Sequence, residues 1–205
     1  MAIVDDDVAA RFGWTMPHLA AAYLSGGARL LQLRAKKASS GRLLDIATTI
    51  VALAHRANAT VIVNDRADIA RLSGADGVHV GQDDLAPASI RQIVGGEAIV
   101  GLSTHTAEQL EAAVHEPVSY IAIGPVFGTD TKMTGYASLG LEAVRRAAAR
   151  TGEWGVGLVA IGGVTLEAAP EVIRAGACTV AVIRDLVAGG DPAARVRAYL
   201  ARLTV

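Results

Sequence analysis

Eight short apolar runs, each followed by a stretch with helical periodicity, set the strongest limit on what this chain can become. The runs fall at 2–4, 30–34, 60–64, 77–80, 98–101, 120–123, 158–161 and 179–183. The helical stretches fall at 17–25, 41–57, 66–72, 87–94, 107–115, 139–151, 166–175 and 192–203. Strands that alternate with helices predict a parallel sheet, because each crossover needs a helix to carry the chain back. Eight such units favour a closed (β/α)8 TIM barrel over an open doubly wound sheet. The chain has 205 residues and no linker or low-complexity tract, so one domain spanning 1–205 is expected. The interior must come from Ala, Val, Ile, Leu and Gly, since aromatics are only 4% of the residues. That is the palette of a sheet covered by helices on both faces.

Several function classes are disfavoured. The formal net charge is −1 and no long basic run occurs, so nucleic acid is not an expected partner. No uncharged apolar stretch approaches the roughly 20 residues of a membrane helix. Asp5, Asp6 and Asp7 follow Met1 too closely to resemble a signal peptide. Cys178 is the one cysteine, which excludes an internal disulfide and fits a reducing, cytoplasmic setting. Assembly as a homo-oligomer stays open.

Barrel active sites lie at the carboxyl ends of the strands, so the residues at those ends carry the functional reading. The second run ends Gln32-Leu33-Arg34, with Lys36 just beyond. Strand alternation puts Leu31 and Leu33 toward the helices and Gln32 and Arg34 toward the barrel mouth. The third run ends in Asn64-Asp65, and the fourth leads through His79 to Gln82-Asp83-Asp84. The fifth leads to Ser103 and His105, the sixth to a long loop at 124–138 containing Thr129, Asp130, Thr131 and Lys132. A loop of that length in a compact domain is usually functional or mobile. The seventh ends in Gly162-Gly163.

Two anion sites follow from this sorting. Asp65 and Asp84, at the ends of neighbouring strands, are placed to share one Mg²⁺, which binds through one or two carboxylates plus substrate phosphates. Arg34, Lys36 and Lys132 could neutralise the rest of a diphosphate. Any one of these charges alone would read as a rim salt bridge; their convergence at five strand ends argues for a site. The glycine pair after the seventh run lets backbone N–H groups approach a monophosphate, although tight turns use such pairs constantly. His79 reads as a hydrogen-bonded core histidine. His55 and His115 read as surface residues, His18 as a helix residue, and Cys178 as a small buried residue. His105 could touch a ligand or stand behind a residue that does.

The segments Gln32-Leu-Arg-Ala-Lys36, Val63-Asn-Asp-Arg66, Ala75 to Asp84, Gly101-Leu-Ser-Thr-His105, Gly124-Pro-Val-Phe127, Thr129-Asp-Thr-Lys132 and Ala160-Ile-Gly-Gly163 occur in one order and spacing. In this they resemble the thiamine phosphate synthases, from about Leu30 to about Leu186. The resemblance implies that Gln32, Arg34, Lys36 and Asn64 contact an aminopyrimidine diphosphate and that Ser103 faces its ring. Lys132 would reach the diphosphate. Asp65 and Asp84 would hold Mg²⁺, with Asp84 preferred over Asp83. Thr129, Asp130 and Thr131, with Gly163 and the Ile183-Arg184 turn, would surround a thiazole phosphate. Arg34, Lys36, Ser103 and Lys132 would carry the catalysis. Arg184 stands where the family commonly has Ser, and Gly128 and Met133 where it commonly has Pro.

With no side chain standing out as a nucleophile, the expected chemistry is stabilisation of a departing pyrophosphate, followed by attack of the thiazole nitrogen. A thiazole tautomerase is the nearest rival, with His105 as proton shuttle; it would need no diphosphate, which the Gln32-Arg34-Lys36 set and Asn64-Asp65 argue against. Another phosphate-binding barrel, such as a sugar-phosphate isomerase, and a non-enzymatic thiazole-phosphate-binding barrel are the remaining alternatives.

Overall fold

The computed structural model describes residues 1–128 and 135–203. Its strands are β1 (Ala2–Asp5), β2 (Leu30–Arg34), β3 (Thr60–Asn64), β4 (Gly77–Val80), β5 (Ile99–Thr104), β6 (Tyr120–Ile123), β7 (Gly157–Ile161) and β8 (Thr179–Ala181). They pair in sequence order, all parallel. The ring closes where Ile3 N donates to Val182 O at 3.0 Å and Val182 N donates to Met1 O at 3.1 Å. This is the expected (β/α)8 barrel.

The helices are α1 (Asp6–Arg11), α2 (Met16–Ser25), α3 (Ser40–Arg56), α4 (Ala67–Ser73), α5 (Pro87–Val94), α6 (Ala107–Ala113), α7 (Gly140–Glu153), α8 (Ala169–Arg174) and α9 (Pro192–Leu203). The sequence reading missed α1. Its six residues are too short for a clear period, and Asp5 caps it by accepting from Val8 N at 3.0 Å. The seventh expected helix, at 166–175, shrinks to α8, because the chain after β7 spends 162–168 in turns. The fifth strand outruns its expected end at Gly101 and reaches Thr104, whereas the eighth stops at Ala181, short of Ile183.

Strand alternation divides the interior in two. Leu31, Leu33, Val61, Val63, Val78, Val80, Val100, Leu102, Ile121 and Leu158 face outward into one large core shared with the helices. Inside the ring, Ile3, Tyr120, Ala122, Val159 and Ala181 form a second, smaller cluster. The wide outer core holds the ring together, and the narrow inner one floors whatever opens above it.

Cys178 corrects an expectation. It stands before β8 at the amino-terminal rim, its N donating to Leu158 O at 2.8 Å, and its side chain is exposed rather than buried. His55 and His115 are exposed, as expected, each beside a carboxylate.

Candidate active site

A cavity of about 360 Å³ opens at the carboxyl ends of the strands. That is within the range of small-molecule sites. Gln32, Arg34, Ser103, Gly162, Gly163 and Arg184 all line it. Ile183 lines it as well, in the turn after β8 that leads to a short 3-10 helix at Arg184–Leu186. The inward reading of Gln32 and Arg34 from strand parity therefore agrees with the structure.

Arg34 is nearly buried, and Asp5 holds it through a 2.5 Å ion pair. Its Nε is buried with no hydrogen-bond partner among the described residues. A buried donor left unsatisfied costs about 1–3 kcal/mol, so this atom is a standing invitation to an anionic acceptor. Sequence reading missed Asp5, which it treated only as part of a charged start. A partnership spanning 29 residues leaves no local trace.

Beside the cavity, Lys36 Nζ lies 3.1 Å from Asp65 Oδ2. Asp65 follows β3 with a φ of +64°, a left-handed conformation that non-glycine residues adopt at a cost. Burial raises its carboxyl above the usual carboxylate range; Lys36 opposes this, and the adjacent Asp84 carboxylate reinforces it. Asp84 is fixed from the other side, its Oδ2 accepting from Gly81 N at 2.7 Å. Asp65 and Asp84 are thus neighbours, as their strand positions suggested. Two carboxylates held together with a single lysine suit one divalent cation whose remaining ligands come from phosphate and water. Among the described residues no group of three or more His, Cys, Asp or Glu side chains forms a fuller cage. Asn64 is buried at the end of β3.

The glycine pair is required by geometry. Gly162 and Gly163 have φ of +97° and +64°. A Cβ on Gly162 would sit 2.5 Å from Pro125 Cα, and one on Gly163 2.5 Å from Gly128 O. The chain after β6 presses on this turn because Val126 N and Phe127 N donate to Ile161 O and Gly162 O, at 2.9 and 3.0 Å. The adjoining turn is braced by Asp185, another residue the sequence reading missed. Its carboxylate accepts from Leu166 N at 3.2 Å, from Arg195 Nη2 at 2.9 Å and from the Tyr199 hydroxyl at 2.5 Å. One side chain therefore ties the turns after β7 and β8 to α9.

Ser103 lies inside β5 and not beyond it, with its hydroxyl 2.8 Å from His79 Nε2. His79 is buried and hydrogen-bonded, as expected of a core histidine, but it also lines the cavity. His105 is braced rather than free: its Nδ1–H donates to Gly124 O at 2.6 Å, and its ring stacks on Tyr136 at 4.4 Å. Thr129, Asp130, Thr131 and Lys132 lie outside the described residues.

Comparison with known proteins identifies the relatives of this chain. The family model described as thiamine monophosphate synthase matches residues 1–186. The thiamine-phosphate synthase of Koribacter versatilis is 44% identical over 186 residues, covering 91% of this chain and 85% of that protein. That of Acidothermus cellulolyticus is 40% identical over 191 residues, covering 92% and 88%. Among solved structures, the thiamine phosphate pyrophosphorylase of Pyrococcus furiosus superposes with a TM-score of 0.88 at 27% identity, over 98% of this chain and 93% of that one. With a barrel whose mouth gathers these side chains, and with relatives this similar over nearly its whole length, the chain belongs to the thiamine monophosphate synthase family.

Proposed function

We propose that this protein condenses 4-amino-2-methyl-5-hydroxymethylpyrimidine diphosphate with 4-methyl-5-(2-phosphoethyl)thiazole, releasing pyrophosphate and forming thiamine phosphate. The observation that carries the reading is the gathering of Gln32, Arg34, Ser103 and the Gly162-Gly163 turn around one cavity, with Lys36, Asp65 and Asp84 clustered at the same strand ends. Family membership supports it.

The bond between the pyrimidine methylene and the diphosphate oxygen breaks as negative charge grows on the leaving group. Arg34, already oriented by Asp5, turns its unpartnered Nε and remaining N–H groups to that charge. Lys36 adds a second cation, and Lys132 is assigned as a third. Asp65 and Asp84 suit Mg²⁺, which when bound would neutralise diphosphate charge. Gln32, Asn64 and Ser103 hold the aminopyrimidine, whose electron-rich ring carries the methylene cation. The thiazole nitrogen then attacks, its phosphate anchored by the Gly162-Gly163 and Ile183-Arg184 turns together with Thr129, Asp130 and Thr131. A cytoplasmic setting fits the lone, exposed Cys178.

Retention of Arg34, Lys36 and the paired carboxylates separates this reading from a thiazole tautomerase. Incubating purified protein with both substrates and Mg²⁺, and following thiamine phosphate and pyrophosphate by chromatography, tests it. Equal amounts of both products are expected. An untouched pyrimidine diphosphate would overturn the assignment.

A further inference from the structure

The ladder between β4 and β5 stops before β5 does. Val80 opposite Leu102 is its last pair, yet β5 runs on to Thr104. The carbonyls of β5 alternate in direction. Val100 O and Thr104 O accept from Ser119 N and Gly124 N, at 2.7 and 3.2 Å, and so point toward β6. Ser103 O, one residue out of step, points the other way, past the place where β4 ends. Ser103 is buried, and a buried carbonyl needs a donor.

A side chain supplies it. Gln82 Nε2 lies 2.6 Å from Ser103 O. A carbonyl oxygen only accepts, so the amide nitrogen faces it and donates. Gln82 belongs to the turn that carries Asp84. Residues 82–86 are all exposed, so packing does little to fix this turn. Two bonds close it on itself: Gly81 N donates to Asp84 Oδ2 at 2.7 Å, and Asp84 N to Gly81 O at 3.4 Å. Gln82 ties it to the neighbouring strand. On the other side, Asp65 N donates to His79 O at 2.7 Å, which seats Asp65 against the end of β4, where the turn begins.

We propose that Gln82 is a positioning residue: by donating to Ser103 O it holds the Gly81–Asp84 turn on β5, and so keeps Asp84 beside Asp65 as half of a divalent-cation site. This rests on the synthase reading for the cation's task, and on the strand-end geometry for the tie. An exposed turn without the tie would have to be ordered when the cation binds, which lowers affinity. The same bond joins the carboxylate pair to the strand that presents Ser103 to the cavity.

The test replaces Gln82 by Met, which keeps the side chain's length and removes the donor without adding charge. Mn²⁺ alone is titrated into the full-length protein and followed by its paramagnetic resonance signal. Wild type should bind the ion and Asp84→Asn should bind it far more weakly. Gln82→Met should raise the Kd by about three- to tenfold, the scale of one hydrogen bond. An unchanged Kd in Gln82→Met, or a wild type that binds no Mn²⁺, overturns the proposal. Steady-state kinetics of Gln82→Met supply the second measurement. The Mg²⁺ concentration for half-maximal turnover should rise by the same factor, with the KM for thiazole phosphate moving less than about twofold. Equal changes in both would mark a general loosening and would also overturn it. If the wild-type protein bound Mn²⁺ but made no thiamine phosphate, the synthase reading would fail, while the Mn²⁺ titrations would still decide the role of Gln82.

Discussion

Replacing Gly101 by alanine tests whether the cavity floor is as tightly built as it looks. The new methyl would lie 2.1, 2.4 and 2.5 Å from three atoms of the Tyr120 phenol, distances that no Cβ tolerates. Tyr120 is only 8% exposed and cannot retreat into solvent. Overpacking of this kind costs about 1–3 kcal/mol. If the ring escapes by rotating, it also abandons the 2.9 Å bond to His79 Nδ1, worth about 0.5–1.5 kcal/mol. Restricting the unfolded chain returns about 0.4–1 kcal/mol. The net expectation is a loss of about 1–4 kcal/mol, a sizeable part of a typical domain's stability of about 5–15 kcal/mol. Gly41 supplies the control. It lies in the first turn of α3, a Cβ there meets nothing within 4 Å, and alanine should stabilise by up to about 1 kcal/mol. Urea unfolding of both variants, at unchanged m-value, measures the difference. A Gly101→Ala protein as stable as Gly41→Ala would refute the packing argument.

Other outcomes follow from the same geometry. Asp65→Asn and Lys132→Ala should each lower kcat by about a hundredfold with little change in folded yield; unchanged turnover in either would count heavily against the assigned roles. Asp185→Asn should raise the KM for thiazole phosphate by about three- to tenfold while sparing that for the pyrimidine diphosphate, because the carboxylate braces only the turns after β7 and β8. Treatment with a chelator should abolish turnover and added Mg²⁺ should restore it; turnover that survives full chelation would remove the metal from the scheme. Gly163→Ala should destabilise by about 2–4 kcal/mol, combining a φ of +64° with a contact of 2.5 Å to Gly128 O, as a thermal melt would reveal.

Much of the architecture was legible because strand parity and helical period are local. Leu31 and Leu33 against Gln32 and Arg34 could be sorted from five consecutive letters, and the structure sorts them the same way. The neighbourhood of Asp65 and Asp84 was also legible, since both follow adjacent strands in a barrel wound in sequence order. What escaped was non-local or set by packing. Asp5 meets Arg34 across β1 and β2, and Tyr120 reaches His79 only because Gly101 gives it room. Gly101 itself looked like the end of a strand, which displaced Ser103 from β5. Asp185 went unnoticed, because its partners Arg195 and Tyr199 lie on α9, 10 and 14 residues further along.

The division of each strand between an inner and an outer face has a practical corollary. Ligand choice is written on one set of alternate residues, among them Gln32, His79, Ser103, Tyr120 and Ala122, and cohesion on the intervening set. A mutant library confined to the first set could search new substrates while leaving the adhesive surface between ring and helices untouched. Evolution of a barrel like this one can therefore change its diet without renegotiating its skeleton.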